Sequence, residues 1–480
     1  MKMATVPSSL LQLKAELEEV QLSLAKLKQK ESLLQAKISA YNPSDNVSES
    51  NETCQYTLPQ GLNSNDISRY SRQLLLPQIG ALGQAKIKAA KVLVVGAGGL
   101  GSSALLYLAA MGVGNLGIVD FDCVDNSNLH RQIIHNEARQ GLHKAISAKQ
   151  SINLLNSQIK VSPILEQLTS DNALHIFKNY DIIVDATDNL PSRYLISDAA
   201  VLAAKPLVYG SALRLDGQIV VYNYRNGPCY RCLFPTPPKF DPTQNCSEAG
   251  VLGVVPGIIG CLQALQVIKI ILGEQLHPFC NSSNSILDQK YYMTTFSAFG
   301  APQFKHIRIR GRQPHCKICS SNPEINRLID YPAFCGATQS DAPVMLSILN
   351  KNDAFRLSCL QYKQVRSSNS NHLLLDVRDT AQFVLCSLKN SIHIPYPHLL
   401  NLLSSEKSLD HSSSDFYPAF NHLISQISDP ELPVYIICRR GNLSQLAVSS
   451  LRHHGYNNCY QIDGGLTSWQ NDVDPSFPSY

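Results

Sequence analysis

The chain has 480 residues, 44% of them hydrophobic and 16% charged, with a net charge of +4. Such a length holds two or three domains, and such a composition excludes a disordered chain. The mild charge, without a dense Lys/Arg block, argues against direct nucleic-acid binding, and no apolar run reads as a membrane span.

In chain order, residues 1–40 carry apolar side chains at alternating steps of three and four: Leu10, Leu13, Leu17, Val20, Leu24, Leu27, Leu34 and Ile38, with Glu31 interrupting the seam. This predicts a helix, either a coiled coil, a partner-binding helix or a peripheral helix packed on its own domain. The opening MKMATVPSSL lacks the apolar core of a signal peptide, so the cytosol is the expected location. Residues 41–65, rich in Ser, Asn and Pro, read as a linker. Over residues 66–330, short apolar strands at 91–95, 116–120, 182–186 and 206–210 alternate with helical stretches. That alternation predicts an α/β, Rossmann-like parallel sheet with helices on both faces. Residues 331–354 read as a second linker. Residues 355–480 form a separate small α/β domain with strands at 373–377, 434–438 and 459–462 and a Ser-rich insertion at 404–414.

Gly96, Gly98 and Gly101 make a GxGxxG loop between a strand and a helix, the pattern in which backbone N–H groups and a helix N-terminus meet phosphate. That loop alone serves nicotinamide enzymes equally well, and Asp120 at the next strand end suits ribose hydroxyls in either case. The polar run Ser127, Asn128, Leu129, His130, Arg131 and Gln132, with Lys144 and the Asp188–Asn189 pair, favours ATP. Arg131 and Lys144 answer a triphosphate and the charge that develops as pyrophosphate leaves. Asp188 supplies the oxygen ligand that magnesium prefers.

Cys229-x-x-Cys232 and Cys316-x-x-Cys319 are two turns able to present four thiolates to one tetrahedral zinc. Cys438 follows a predicted strand and opens the loop Arg439-Arg440-Gly441-Asn442-Leu443-Ser444. Backbone N–H donors, a helix N-terminus and arginines near in sequence are expected to lower its thiol pKa and favour an anion. A phosphatase on such a scaffold needs Arg where Ser444 stands. Cys246, in the polar stretch TQNCSEAG, reads as a reactive thiol.

Taken together, Arg69-Tyr70-Ser71-Arg72-Gln73, GAGGLG, SNLHRQ, DATDN and GPCYRC resemble the ubiquitin-activating-enzyme-like adenylyltransferases. The segments LLDVR, SIHIP and DGGLTSW around Cys438 resemble a rhodanese domain, although Leu443 stands where close relatives often have Asp. The resemblance implies that Gly99, Asp120, Ser127 to Arg131, Lys144, Asp188 and Asn189 contact ATP. It implies that Arg72 reaches the nucleotide site of a neighbouring protomer, hence a homodimer, and that each chain holds one zinc. Cys438 is then the persulfide carrier, and Cys246 links transiently to the activated substrate. The implied substrates are ubiquitin-fold sulfur carriers ending in Gly-Gly: the ubiquitin-related modifier of tRNA 2-thiolation and the small subunit of molybdopterin synthase. A cysteine desulfurase or another persulfide donor is the implied sulfur source. Three rivals make different demands. A conjugating enzyme with a stable Cys246 thioester needs a domain for the next enzyme, an NAD-dependent oxidoreductase leaves SNLHRQ unexplained, and a scaffold needs no ATP.

Overall fold

The computed structural model describes residues 17, 21–35, 58–238, 250–273, 290–336, 348–349, 353–368, 371–405, 432–478 and 480. Met1–Leu58 and Pro59–Tyr480 are two units. In the first, residues 21–35 are an exposed helix carrying Leu24, Leu27 and Leu34. Leu10, Leu13, Val20 and Ile38 of the predicted seam lie outside the described residues.

In the second unit, eight strands run as β1 Lys91–Val95, β2 Asn115–Val119, β3 Lys160–Ile164, β4 Ile182–Asp185, β5 Leu207–Leu213, β6 Asp216–Tyr222, β7 Tyr291–Ser297 and β8 Phe304–Ile309. Their order in the sheet is β3-β2-β1-β4-β5-β6-β7-β8. The first five are parallel, as the alternation of strands and helices predicts. The last three pair antiparallel, which corrects the expectation of a purely parallel sheet. The cause is local. Leu213 and Asp216 pair across a turn made only of Arg214 and Leu215, too short for the crossover that a parallel pair requires.

Both faces of the parallel half are covered, so β1 is an unbroken apolar run rather than an alternating one. Val92 and Val94 face one core with Leu105, Leu108, Ile259 and Val267, while Leu93 and Val95 face another with Phe177, Tyr194 and Leu195. The helix Val254–Leu272 has 19 residues and a mean hydropathy of 1.9, so one apolar run does reach the length of a membrane span. It buries Val255, Ile259, Ala264, Val267 and Ile268 in the first core and packs along the helix Gly99–Ala110. Its apolarity is that of a core helix.

A second sheet of five parallel strands has β9 Arg356–Leu357, β10 Leu373–Asp376, β11 Ser391–His393, β12 Val434–Ile437 and β13 Cys459–Ile462, in the order β11-β10-β12-β13-β9. Leu375 and Ile436 pack on one face, Leu374 and Ile437 on the other. The fold class is α/β, with a Rossmann-like sheet and a smaller C-terminal α/β domain.

Candidate active site

Register brings Val95, Val119 and Asp185 level, so Gly96, Asp120 and Ala186 leave the sheet at one edge. Between β1 and β4 the strand order reverses, and the crevice above such a point is where open α/β sheets bind ligands. Here it holds a cavity of about 390 Å³, of ordinary small-molecule size. Two glycines shape the backbone beneath it. Gly96 has φ +98°, and a Cβ on Gly101 would lie 2.0 Å from the Gly96 carbonyl oxygen, so the helix Gly99–Ala110 can start directly against the strand end.

The loop is braced from two sides. Asp120 Oδ2 accepts from the Ala97 N–H at 2.7 Å and Oδ1 from the Asp122 N–H at 2.9 Å. Asp120 therefore staples the glycine loop, a task the sequence did not suggest, while each oxygen keeps a lone pair for a ribose hydroxyl. Burial pushes its carboxyl up, and Lys144 with the two N–H donors offsets only part of that. On the other side His135 bridges the Ala97 carbonyl and Ser147 Oγ, each at 2.9 Å. Burial pulls its pKa down to about 4, so it works as a neutral ring.

Charge stands on the cavity wall. The Lys144 Nζ lies 2.9 Å from Asp122 Oδ2, with the lysine side chain 8% exposed. Burial pulls Lys144 down, but Asp120 and Asp122 outweigh it and hold the ammonium above its ordinary value. Asp125 opens the short turn Asn126–Asn128 by accepting from the Ser127 N–H, and the turn delivers Arg131 to the cavity. Asn189 caps the helix Leu190–Leu202 through the Ser192 N–H at 3.0 Å, which sets Asp188 at the rim, exposed.

Of the residues expected at ATP, Gly99, Asp120, Asn128, Arg131, Lys144, Asp188 and Asn189 line this one cavity. Ser127, Leu129 and His130 do not. Ser127 donates its N–H to the capping Asp125, and the His130 ring takes a hydrogen bond from Arg131 at 3.3 Å while bonding the Ser127 carbonyl, so these residues shape the loop that carries Arg131. Arg72 is exposed on the helix Ser64–Leu74 and does not line its own chain's cavity. Gln132 and Thr187 line it without having been given a role. Gln132 is buried with its Oε1 unpartnered among the described residues, a signal that sequence alone does not carry.

The four zinc candidates do meet. Cys229, Cys232, Cys316 and Cys319 are buried, with their sulfurs all within 4.8 Å of one another. Three pairs stand at 3.4, 3.5 and 3.7 Å, against about 3.8 Å for sulfurs on the corners of a tetrahedral zinc site. The Gln313 N–H donates to Cys232 Sγ at 3.3 Å. Four crowded, buried sulfurs fit a divalent cation of zinc type.

In the smaller domain, Cys438 directly follows β12 and is 2% exposed. Its Sγ accepts from the Gly441 N–H at 3.1 Å and the Ser444 N–H at 3.3 Å, with Ser444 Oγ at 3.5 Å. The expected cradle is present, but the expected acidity is not. Burial pushes the Cys438 thiol up, and the Ser444 and Gly441 donors offset only part of it. The loop that brings donors also shuts out water. Leu443 packs against the domain core. Cys246 lies outside the described residues.

Against this geometry, residues 70–318 match the ThiF family and residues 361–472 a rhodanese-like domain. The chain belongs to the ThiF family. It is 44% identical to the adenylyltransferase and sulfurtransferase MOCS3 of Arabidopsis thaliana over 97% of both chains. It is 45% identical to that of Culex quinquefasciatus over 87% of this chain and 90% of the other, and 43% identical to that of Danio rerio over 88% and 89%. Among solved structures, E. coli MccB with ATP aligns with a TM-score of 0.44 at 23% identity, over 55% of this chain and 76% of that one.

Proposed function

We propose that this ThiF-family protein adenylates the C-terminal glycine of ubiquitin-like sulfur carriers and then converts it to a thiocarboxylate. The carrying observation is that one chain holds both a cation-walled cavity at a Rossmann switch point and a persulfide-type cysteine loop. The named relatives, matched over nearly the whole length, support the same pairing of activities.

Chemically, a carboxylate resists attack because its leaving group is poor. Transfer of AMP from ATP to the carrier carboxylate releases pyrophosphate and leaves AMP as a good leaving group. The N-terminus of Gly99–Ala110, Arg131 and Lys144 bind the triphosphate and stabilise the charge that grows on pyrophosphate. Asp120 and Asn189 hold the nucleoside, and Asp188 is the ligand for magnesium, which neutralises phosphate charge when bound. The terminal sulfur of a Cys438 persulfide attacks the acyl carbon, AMP departs, and an acyl disulfide forms. Attack of the Cys246 thiolate on the Cys438 sulfur releases the carrier thiocarboxylate and leaves a Cys246–Cys438 disulfide for a thiol to reduce. The four-cysteine cluster would hold one zinc, which would tie the segment after β6 to the segment after β8.

The carriers are the ubiquitin-related modifier and the molybdopterin-synthase small subunit, so the products serve wobble-uridine 2-thiolation of tRNA and molybdenum cofactor synthesis. A cysteine desulfurase or similar persulfide donor charges Cys438. The protein works in the cytosol, where the absence of disulfides among its described cysteines is ordinary. It works as a homodimer, in keeping with an Arg72 that does not line its own cavity. The test is Cys438→Ala: carrier adenylation is retained and thiocarboxylate formation is lost, read by mass spectrometry of the carrier. Loss of both in a folded variant, or thiocarboxylate at the wild-type rate, contradicts the division of labour.

A further inference from the structure

Gln461 stands in β13, between β12 and β9, and is fully buried beside the equally buried Ile462. Its Nε2 donates to the Gly441 carbonyl at 3.2 Å, with the Ile462 carbonyl at 3.4 Å. Both neighbours at that end are acceptors, so the nitrogen is the end of the amide that faces them. The Oε1 at the other end has no partner among the described residues. A glutamine buried with half its amide unanswered costs the fold more than an apolar strand residue would. The reaction above gives it no task.

Gly441, the residue that Gln461 meets, is held at both ends. Its N–H donates to Cys438 Sγ at 3.1 Å, while its carbonyl also accepts from Ser444 Oγ at 3.1 Å and the Gln445 N–H at 3.3 Å. With φ +92° and no Cβ, Gly441 has little of its own to fix its direction, so the fixing comes from outside. Ser444 and Gln445 belong to the helix Asn442–His453 and move with the loop that opens it. Among the described donors to that carbonyl, Gln461 alone comes from the sheet. It pairs level with Ile436, two residues before Cys438, so it ties Gly441 to the strand frame that carries the sulfur.

We propose that Gln461 is a positioning residue that fixes Gly441 from the sheet, so that the Gly441 N–H stays on the Cys438 sulfur during sulfur transfer. An N–H aimed at a sulfur anion is a charge-assisted donor, and its worth depends on its staying in line. Cys438 is an anion twice in each cycle, when it attacks a donor and when its terminal sulfur is taken away. A donor held in place serves both steps. This rests on the reading of Cys438 as the persulfide carrier.

The experiment uses the full chain, with thiosulfate as donor and cyanide as acceptor. The Cys438 thiolate attacks the outer sulfur of thiosulfate, the S–S bond breaks, and its electron pair leaves with sulfite. Cyanide then takes that sulfur as thiocyanate and returns Cys438 as thiolate. Gln461→Met keeps the length of the side chain and removes the donor. In this variant kcat should fall about fivefold, the worth of one hydrogen bond, while KM holds within about twofold because a fully buried residue meets no donor molecule. Iodoacetamide alkylation of resting Cys438, read by peptide mass spectrometry, should slow by a similar factor, whereas a merely loosened loop would admit the reagent and speed it. The melting temperature should stay level or rise, since the Gly441 carbonyl keeps Ser444 and Gln445 and the unanswered Oε1 is gone. An unchanged kcat, a loss carried by KM, or faster alkylation overturns the proposal. So does a variant that melts several degrees lower or does not fold, because Gln461 would then hold the domain rather than the loop. Turnover surviving in Cys438→Ala marks a different failure, that of the persulfide reading, and takes the inference with it.

Discussion

At the scale of single residues, the site is a set of charges whose burial decides how they behave. Lys144 is nearly enclosed yet keeps its proton, because Asp120 and Asp122 outweigh the cost of burial. Its charge is therefore available to a triphosphate across the physiological range. Lys144→Met should lower carrier-dependent adenylation by about 10²–10³-fold, the usual loss for one preorganised transition-state donor, with the melting temperature recorded to exclude unfolding. Cys438 shows the opposite balance. Neighbouring Arg and N–H donors were readable in the sequence as acidifying features, but the extent of enclosure was not, and enclosure dominates. Because burial favours the neutral thiol, less thiolate is present at neutral pH. The alkylation rate of resting Cys438 should keep rising beyond the ordinary thiol midpoint of about 8.5. A midpoint at or below that value would show that donors win over burial. Asp120 was legible as a site residue, but its bonds to Ala97 and Asp122 depend on loop conformation and were not.

At the scale of elements, legibility followed the hydrophobic pattern. β1, β2, β4 and β5 are short apolar runs buried on both faces and were readable to within a few residues. β6, β7 and β8 went unread. They are partly exposed, and β8 is exposed along most of its length, so they lack a continuous apolar signature. The CxxC pairs were readable as ligands, and the fold shows why they are far apart in sequence: β7 and β8 intervene between the two turns. A cluster that closes this antiparallel half should be part of its stability. Cys316→Ser should reduce bound zinc from about one per chain to near zero and lower Tm by several degrees, since metal binding is also folding free energy. Zinc content and a thermal melt measure both. A variant that keeps its metal would contradict four-cysteine ligation.

At the scale of the whole molecule, two sulfur and phosphate chemistries sit in one chain, and the glycine loop alone would not have disclosed that. SNLHRQ, Lys144 and DATDN, with the paired CxxC motifs, separated ATP from nicotinamide chemistry, and the cavity gathers Asn128, Arg131, Lys144, Asp188 and Asn189 from separate elements. Cys246 and half of the N-terminal seam lie outside the described residues, so their expected roles rest on sequence. The account stands most directly on activation of a carrier carboxylate. ATP–pyrophosphate exchange by the zinc-loaded protein with magnesium should be absent alone and appear on adding a carrier ending in Gly-Gly. No exchange with either carrier in folded protein would contradict the account and leave a rhodanese joined to a nucleotide-binding scaffold.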